Sequence, residues 1–542
     1  MDRVAFILLF LSFIWAGAQE HAWVYFKDKI GVEEAIASPS NILTERSLSR
    51  KAKFNIPIDE RDVPVNENYI ASLKLQEGIT VKAKSKWLNC VHVVGSLSNI
   101  STLLELDFVD RVWYANKSLN AKWAKEGNGI SQATNHRGKY LGQQEEFAYG
   151  QSGQQIRQLG LEQLHNNDFT GQGFLIAVLD SGFPNVDQMS AFYRLRSDGR
   201  LWEGYDFVDR STDIYRSNGS DHGTRVLSCM AAFVEGEFVG TAPDAGYVLF
   251  RTEDSATETP VEESYWVEAA ERADSLGVDL INSSLGYSTF DDPNYNYSPS
   301  EMDGNSTFVS KGANIAMEKG ILVVNSAGNS GDNQWGIITA PADASVFAVG
   351  AVDENGQYVD FSSRGPNATG EIKPDGMALG KAAVVVGPDD RLVRSNGTSF
   401  SSPIMAGAIA SFWQALPNKT NWEIMAVVRK YSSHYQSPNS QMGFGIPNFY
   451  SALLAEGVLM PNNEMEQWYL YPNPTTANLY LYLPNEFNTA IFSLFDAYGK
   501  RILEKRITPT DLELSVEHLS NAMYIGQLNM DGDYQEFKII KN

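Results

Sequence analysis

Three residues of this 542-residue chain, a serine, a histidine and an aspartate, stand beside glycine at the edges of apolar runs where nucleophilic chemistry would be possible. Ser399 lies in Ser395-Asn396-Gly397-Thr398-Ser399-Phe400-Ser401-Ser402-Pro403, ahead of the small apolar stretch 404–410, which reads as a buried helix starting near the serine. A hydroxyl there stands beside unpaired backbone N–H groups and the positive end of the helix dipole, so negative charge developing next to it is stabilised. A serine beside glycine at a helix start is more often a cap, so a base is required. Upstream, the continuous apolar run 174–179 reads as a buried strand that delivers Asp180 at its carboxyl end, the edge where open α/β sheets bind ligands. Asp221-His222-Gly223-Thr224 leads into the apolar stretch 226–232, so the imidazole opens a helix with a buried body; of the seven histidines only His222 has this setting. An acid, a base and a hydroxyl of these types suit a histidine oriented by a carboxylate and acting on a serine.

Asp180-Ser181-Gly182, His222-Gly223-Thr224 and Gly397-Thr398-Ser399-Phe400-Ser401-Ser402-Pro403, with 42 and 177 residues between their key positions, resemble the three signature blocks of the subtilisin-like serine protease family. Ile281-Asn282-Ser283-Ser284-Leu285-Gly286 is similar to its substrate-binding strand. Val323-Val324-Asn325-Ser326-Ala327-Gly328-Asn329 is similar to the strand that carries its oxyanion-hole asparagine. The resemblance covers about residues 150–455. It implies catalysis by Asp180, His222 and Ser399, with Asn329 and the Ser399 N–H meeting the oxyanion. It also implies substrate contact by Ser284, Leu285, Gly286, Ala327 and Gly328, as an added strand beside a pocket for large apolar or aromatic side chains. Phe400 stands where the family commonly has Met, Ser401-Ser402 replace Ala-Thr, and Met377-Ala378-Leu379-Gly380 departs from its usual Ala-Pro-Gly turn.

The elements that must position these residues alternate strand and helix. Residues 247–250 read as a buried strand. Thr259-Pro260-Val261-Glu262 reads as a capping box with proline at the first helical position, and Gly277 ends the helix that follows. Strand 278–281, helix 308–318 closed by Gly320, and strand 321–324 repeat the unit. Such alternation predicts a parallel sheet with helices on both faces and active groups at the carboxyl ends of strands, where Asp180, Ser284 and Asn329 fall. Thr420-Asn421-Trp422-Glu423 caps a further helix, and Gly443-Phe444-Gly445-Ile446-Pro447-Asn448 resembles the family's closing turn.

On either side the composition changes. Residues 1–18 combine Arg3, an apolar core at 4–15 and Ala16-Gly17-Ala18, the pattern of a signal peptide. Residues 19–116 alternate short strands (91–94, 109–114) with a helix at 100–106, a small α+β unit that in this position resembles the family's propeptide. That resemblance implies folding assistance and intramolecular inhibition. A polar stretch, 117–150, rich in Lys, Gly and Gln, reads as an exposed linker where self-processing is expected. The catalytic domain is expected over 151–457. Past a linker at Pro461-Asn462-Asn463-Glu464, residues 465–542 read as a C-terminal β-sandwich, with strands at 479–483, 490–495, 501–507, 523–528 and 536–540. Tyr471-Pro472-Asn473-Pro474, Gly499-Lys500, Leu519-Ser520-Asn521-Ala522-Met523-Tyr524 and Lys538-Ile539-Ile540-Lys541 resemble the sorting domain of substrates of type IX secretion machinery. That implies export through the periplasm to the cell surface or medium.

A formal net charge of −23 argues against nucleic acid and anionic membranes as partners, since both need clustered Lys and Arg. Cys90 and Cys229, one in each of two expected domains, form no disulfide framework; Cys229, seven residues beyond His222 on the same helical face, reads as a core thiol. The insertion 287–307 is crowded with Asp, Asn, Tyr and Ser, but Asp291, Asp292 and Asp303 do not have calcium-loop spacing, so no metal and no cofactor is expected. The reading is therefore a secreted serine endopeptidase acting on polypeptides through an acyl-enzyme and made as a self-processed precursor. Its rivals are a catalytically silent surface-binding protein on the same fold, and a small-ester or acid-type hydrolase, the latter disfavoured by His222.

Overall fold

The computed structural model describes residues 19–120, 147–216 and 219–459, and residues 469–541 apart from 472, 476, 484–486, 488, 510, 531 and 532. The expected signal peptide, most of the expected linker (121–146) and the connector at 461–464 lie outside the described residues.

The first unit is an antiparallel sheet of β1 (Gln19–Phe26), β2 (Ile79–Ser85), β3 (Cys90–Ser96) and β4 (Val109–Tyr114) in the order β2-β3-β1-β4. Val24, Val91, Val93, Leu73 and Ile100 form its core. The helix expected at 100–106 begins earlier, at Leu97, because the Ser96 side chain accepts the Asn99 N–H and caps it there; it ends at Thr102, and a tight turn covers Leu103–Glu105. A second helix, α1 (Glu45–Lys53), is capped by Thr44.

The second unit is built on β5 (Leu175–Asp180), β6 (Tyr205–Asp206), α2 (His222–Ala231), β7 (Gly246–Arg251), α3 (Val261–Leu276), β8 (Leu280–Ser283), α4 (Phe308–Glu318), β9 (Leu322–Ser326), β10 (Phe347–Val352), β11 (Gly376–Leu379), α5 (Thr398–Ala415) and α6 (Asn421–Lys430). Its strands pair in parallel in the order β11-β10-β9-β8-β5-β7-β6, flanked by helices. The chain leaves β5 for β7 on one side and returns to β8 on the other, so the carboxyl ends of β5 and β8 form the switch point at which such sheets bind ligands. Every residue of α5 from Thr398 to Trp413 is buried, which explains a run apolar on all faces. Half of the expected capping box on α3 forms: the Glu262 carboxylate accepts the Thr259 N–H at 2.9 Å, and the helix stops at Gly277, whose φ of +82° is left-handed. Thr420 and Glu423 form a complete capping box on α6.

The two units share a core and a buried ionic seam. Trp23 of β1 stacks on Phe308 with 4.7 Å between centroids, and its Nε1 donates to Ser264 Oγ on α3 at 2.8 Å. Glu271 of α3 accepts from Ser85 Oγ and from the Lys86 and Trp87 N–H groups. Arg50 and Lys51 of α1 both pair with Asp274 of α3, and Lys319 pairs with Asp59 at 2.9 Å and Asp62 at 2.7 Å. At the far end of the expected linker the chain is docked, with Ala148 and Gly150 exposed between anchored neighbours: Phe147 and Tyr149 are buried, the Tyr149 hydroxyl meets His165 Nδ1 at 3.1 Å, and Gly150 bridges to Phe238. Cys90 and Cys229 are both buried free thiols, in different units.

In the third unit, antiparallel sheets of three (Tyr469–Tyr471, Asn478–Tyr482, Glu513–Ser515) and four strands (Ala490–Phe495, Arg501–Ile507, Ala522–Met530, Asp533–Lys541) share a core that includes Leu479, Leu481, Phe492, Leu494, Leu514 and Leu528. The alternation of buried and exposed residues along Ala490–Phe495 and Ala522–Met530 is the period-two pattern of half-buried strands.

Candidate active site

At the switch point Asp180 ends β5, fully buried. His222, the first residue of α2, places Nδ1 at 2.7 Å from Asp180 Oδ1. The approach needs glycine next door, because a Cβ on Gly223 would come within 2.5 Å of the Gly182 carbonyl oxygen. Asp180 Oδ1 also accepts the Ser181 N–H at 2.7 Å, while Oδ2 is buried without a hydrogen-bond partner. Burial pulls the His222 pKa down, but the charge and hydrogen bond of Asp180 outweigh it with help from Asp221, so the imidazole titrates above its ordinary value.

Ser399 sits in the first turn of α5, with 9% of its surface exposed. Its neighbour Phe400 lies with its ring centroid 5.8 Å from that of His222. No Ser399–His222 hydrogen bond is formed among the described residues. The Ser399 hydroxyl instead donates to the Ser284 carbonyl at 3.4 Å, a long bond that a χ1 rotation breaks at little cost. A second bond, Ser284 Oγ to the Ser399 carbonyl at 2.9 Å, ties the start of α5 to the end of β8. Asn282 and Ser402 reinforce this tie, with the Ser402 hydroxyl donating to Asn282 Oδ1 at 3.0 Å.

Asn329 follows β9. Its Oδ1 accepts both the Thr398 N–H at 2.8 Å and the Thr398 hydroxyl at 3.0 Å, and since an N–H can face only the amide oxygen, this leaves Nδ2 as the outward donor. Between these elements Gly397 has a φ of +143°, and a Cβ built on it would lie 3.6 Å from both Asn329 Nδ2 and the Ser399 nitrogen. The space over Gly397 is therefore flanked by two N–H donors at the dipole-positive end of a helix, a cradle for negative charge. Thr398, which aims the amide, was not singled out in the sequence, although it stands inside the Gly-Thr-Ser block.

The expected substrate segments divide. Ser284 is buried, Leu285 partly exposed and Gly286 exposed, and a Cβ on Gly286 would strike Thr339 Oγ1 at 2.2 Å. Asn325 Nδ2 holds the Leu285 carbonyl at 3.0 Å. Ala327 turns its methyl away, into a small core with Ile338, Ala342 and Ala348, and its N–H and carbonyl are bonded to Val349 and Thr339; only Gly328 of that pair is partly exposed.

In the insertion, Asp291 accepts the Glu258 N–H, Asp292 that of Asn294, and Asp303 those of Asn305 and Ser306, so these carboxylates hold the loop together. The carboxylates that converge are others: Glu253, Glu258 and Glu262 bring oxygens within 4.8 Å of one another, beside Tyr287, whose hydroxyl donates to Glu253 at 2.6 Å. Burial, then repulsion from Glu258, pushes Glu262 up to about 8, and burial, then repulsion from Asp291 and Glu263, pushes Glu258 up to about 7. At neutral pH the group shares protons instead of carrying three charges.

Family models match all three units. Residues 171–445 match the subtilase family, 21–132 the peptidase S8 propeptide domain of Bacteroidota, which runs past the boundary at 116 read from the sequence, and 469–542 the secretion system C-terminal sorting domain. Subtilisin E of Bacillus subtilis is 31% identical over 272 residues, 50% of this chain and 63% of that protein. The thermostable alkaline protease of Halalkalibacterium halodurans is 28% identical over 52% of this chain and 68% of its own. Subtilisin of Bacillus pumilus is 30% identical over 55% of this chain and 97% of its own. The solved structure of the epidermin leader peptide processing serine protease of Staphylococcus aureus shares the fold, with a TM-score of 0.53 at 15% identity, covering 82% of this chain and 100% of that one. This chain, with its propeptide and its sorting domain for export to the cell surface or medium, belongs to the subtilase family of serine endopeptidases.

Proposed function

We propose that the chain is the precursor of a secreted endopeptidase that releases itself from its propeptide and cuts polypeptides through an acyl-enzyme on Ser399. The observation that carries this is the placement of the 2.7 Å Asp180–His222 bond beside the helix start that presents Ser399 and the donor pair over Gly397. In the reaction the Ser399 hydroxyl turns from the Ser284 carbonyl toward His222. Its oxygen attacks the scissile carbonyl carbon as its proton passes to Nε2, and the hydrogen on Nδ1 stays there, donated to the Asp180 carboxylate. The oxyanion enters the cradle of Asn329 Nδ2 and the Ser399 N–H. Collapse breaks the C–N bond, and the amine leaves with the proton from Nε2. Water then repeats the sequence on the ester, restoring Ser399.

Substrate is read here as an extended strand along Ser284, Leu285 and Gly286, with Gly328 closing the far side. Ala327 serves by its position in the backbone. The propeptide is read as an intramolecular inhibitor, which its shared core and ionic seam with α3 support.

The test is to incubate full-length protein and Ser399→Ala with casein and a fluorophosphonate probe while following self-cleavage. Casein hydrolysis, self-processing and labelling are expected in the wild type and absent in Ser399→Ala. A wild-type protein that stays unlabelled even after an added protease removes its propeptide would instead be a surface-binding protein on this fold.

A further inference from the structure

Lys117 lies just past β4, in the short helical turn Lys117–Leu119 at the end of the first unit. Its ammonium is held from three directions by the insertion 287–307. Nζ is 4.2 Å from the centroid of the Tyr297 ring, 2.7 Å from Glu301 Oε1 and 3.2 Å from the Asn296 carbonyl oxygen. A face of an aromatic ring, a carboxylate and a carbonyl are together the chemistry that recognises a basic side chain.

Tyr297 and Glu301 are both held by residues of the second unit. Ser298 donates its N–H and its hydroxyl to Glu301 Oε2, at 2.9 and 2.8 Å, and so leaves Oε1 for the cation. The Tyr297 hydroxyl donates to Glu263 at 2.6 Å, its N–H bonds the Ser288 carbonyl, and Phe290 stands edge-on at 5.8 Å. With Lys117 seated, burial raises the Glu301 carboxyl but the bonds from Lys117 and then Ser298 outweigh it, so in the precursor Glu301 is held below its ordinary range. The cradle opens onto a cavity of about 130 Å³ whose walls are Pro260, Phe290, Tyr295 and Phe308 on one side and Trp23 and Trp113 of the propeptide on the other. Removing the propeptide turns this cavity into an open aromatic groove that ends in a preformed cation site.

We propose that Tyr297, Glu301 and the Asn296 carbonyl form a subsite for a lysine or arginine of the polypeptide substrate, which Lys117 fills in the precursor. This rests on the self-processing protease reading above. Any cut that frees the catalytic unit lies after Lys117, so the subsite reads a residue on the N-terminal side of the scissile bond. Ser288, to which Tyr297 is bonded, is four residues beyond Ser284, at most about 14 Å of chain, so an extended peptide reaches the cradle in roughly four to six residues.

The test is to let the precursor process itself, confirm casein cleavage, and profile cut sites in a proteome-derived peptide library by mass spectrometry. Lys and Arg are expected to be enriched by about tenfold at one position roughly four to six residues before the bond, the size a cation–π contact plus a partly exposed ion pair supports. The enrichment is expected to shrink in Glu301→Gln and vanish in Glu301→Gln with Tyr297→Leu. A casein-active enzyme with no basic preference upstream of the bond, or with one that survives both substitutions, overturns the subsite and leaves the protease reading intact. Absence of casein cleavage overturns both.

Discussion

At the residue scale the site depends on two carefully placed amides and one buried charge. Asp180 is what lifts the His222 pKa against the pull of burial. Asp180→Asn removes that charge and the tautomer control, and is expected to lower kcat by roughly 10⁴. In the proposed mechanism neutral His222 is the base, so losing the charge also moves the acid limb of the residual kcat/KM–pH profile to lower pH; a limb that stays in place would mean Asp180 does not govern the base. Asn329→Ala should cost roughly 10²- to 10³-fold in kcat with little change in KM, the size this loss has in subtilisin itself. Gly397→Ala should cost at least as much although it removes no functional group, because the added methyl would lie 3.6 Å from both donors, where the oxyanion must sit. Steady-state kinetics on one peptide compares the two; near-wild-type turnover of Gly397→Ala would show that the cradle lies elsewhere.

At the element scale the proposed catalytic groups come from the ends of β5, α2, β9 and α5, and the same architecture gives the propeptide its seat. Asp274 on α3 is fully buried between Arg50 and Lys51 of α1, which are 5% and 1% exposed. A buried ion pair adds little net stability, but removing one partner strands the others. In an uncut Ser399→Ala background, Asp274→Ala is therefore expected to destabilise the precursor by about 3 to 5 kcal/mol in denaturant unfolding. In the mature enzyme, where α1 has gone and Asp274 faces solvent, the same change should cost far less. Equal losses in both forms would show that the seam does not hold the propeptide.

For the whole molecule, pH acts through groups hidden where the units meet. His21 and His92 share a hydrogen bond of 2.9 Å, with Ser264, Trp23, Tyr295, Lys82 and Asp292 around them. Burial pushes His21 down to about 4 and His92 well below its ordinary value. A histidine whose folded pKa lies below its unfolded one stabilises the fold above about 6.5, and that stability is lost as pH falls toward 4. The raised carboxyls Glu258, Glu262 and Glu271 act in the opposite sense, losing stability as pH rises. The informative quantity is thus a difference. A Ser399→Ala precursor carrying His21→Gln and His92→Gln should lose less stability between pH 7 and pH 5 than its parent in calorimetry, and an unchanged loss would clear the pair of any part in it.

Local patterns in the chain were enough to read the alternation of the central sheet, the strand-rich C-terminal region, and Asp180, His222, Asn329 and Ser399 as the candidate site, which the fold gathers at the ends of its strands and helices. These follow from features that act locally: apolar runs of strand or helix length, caps such as Thr420 with Glu423, stops such as Gly277, and glycines beside reactive side chains. Where a local signal had a competitor the boundary moved, as at Ser96, which starts its helix three residues early. What distant segments do to one another emerged in the folded chain alone. It turned Ala327 inward, set Thr398 to aim Asn329 and turned the Ser399 hydroxyl toward Ser284. It also gathered Glu253, Glu258 and Glu262 instead of the loop aspartates, and laid Lys117 against Tyr297 and Glu301, about 180 residues away. Such contacts depend on packing and charge across long sequence separations, for which composition, periodicity and spacing carry no signal.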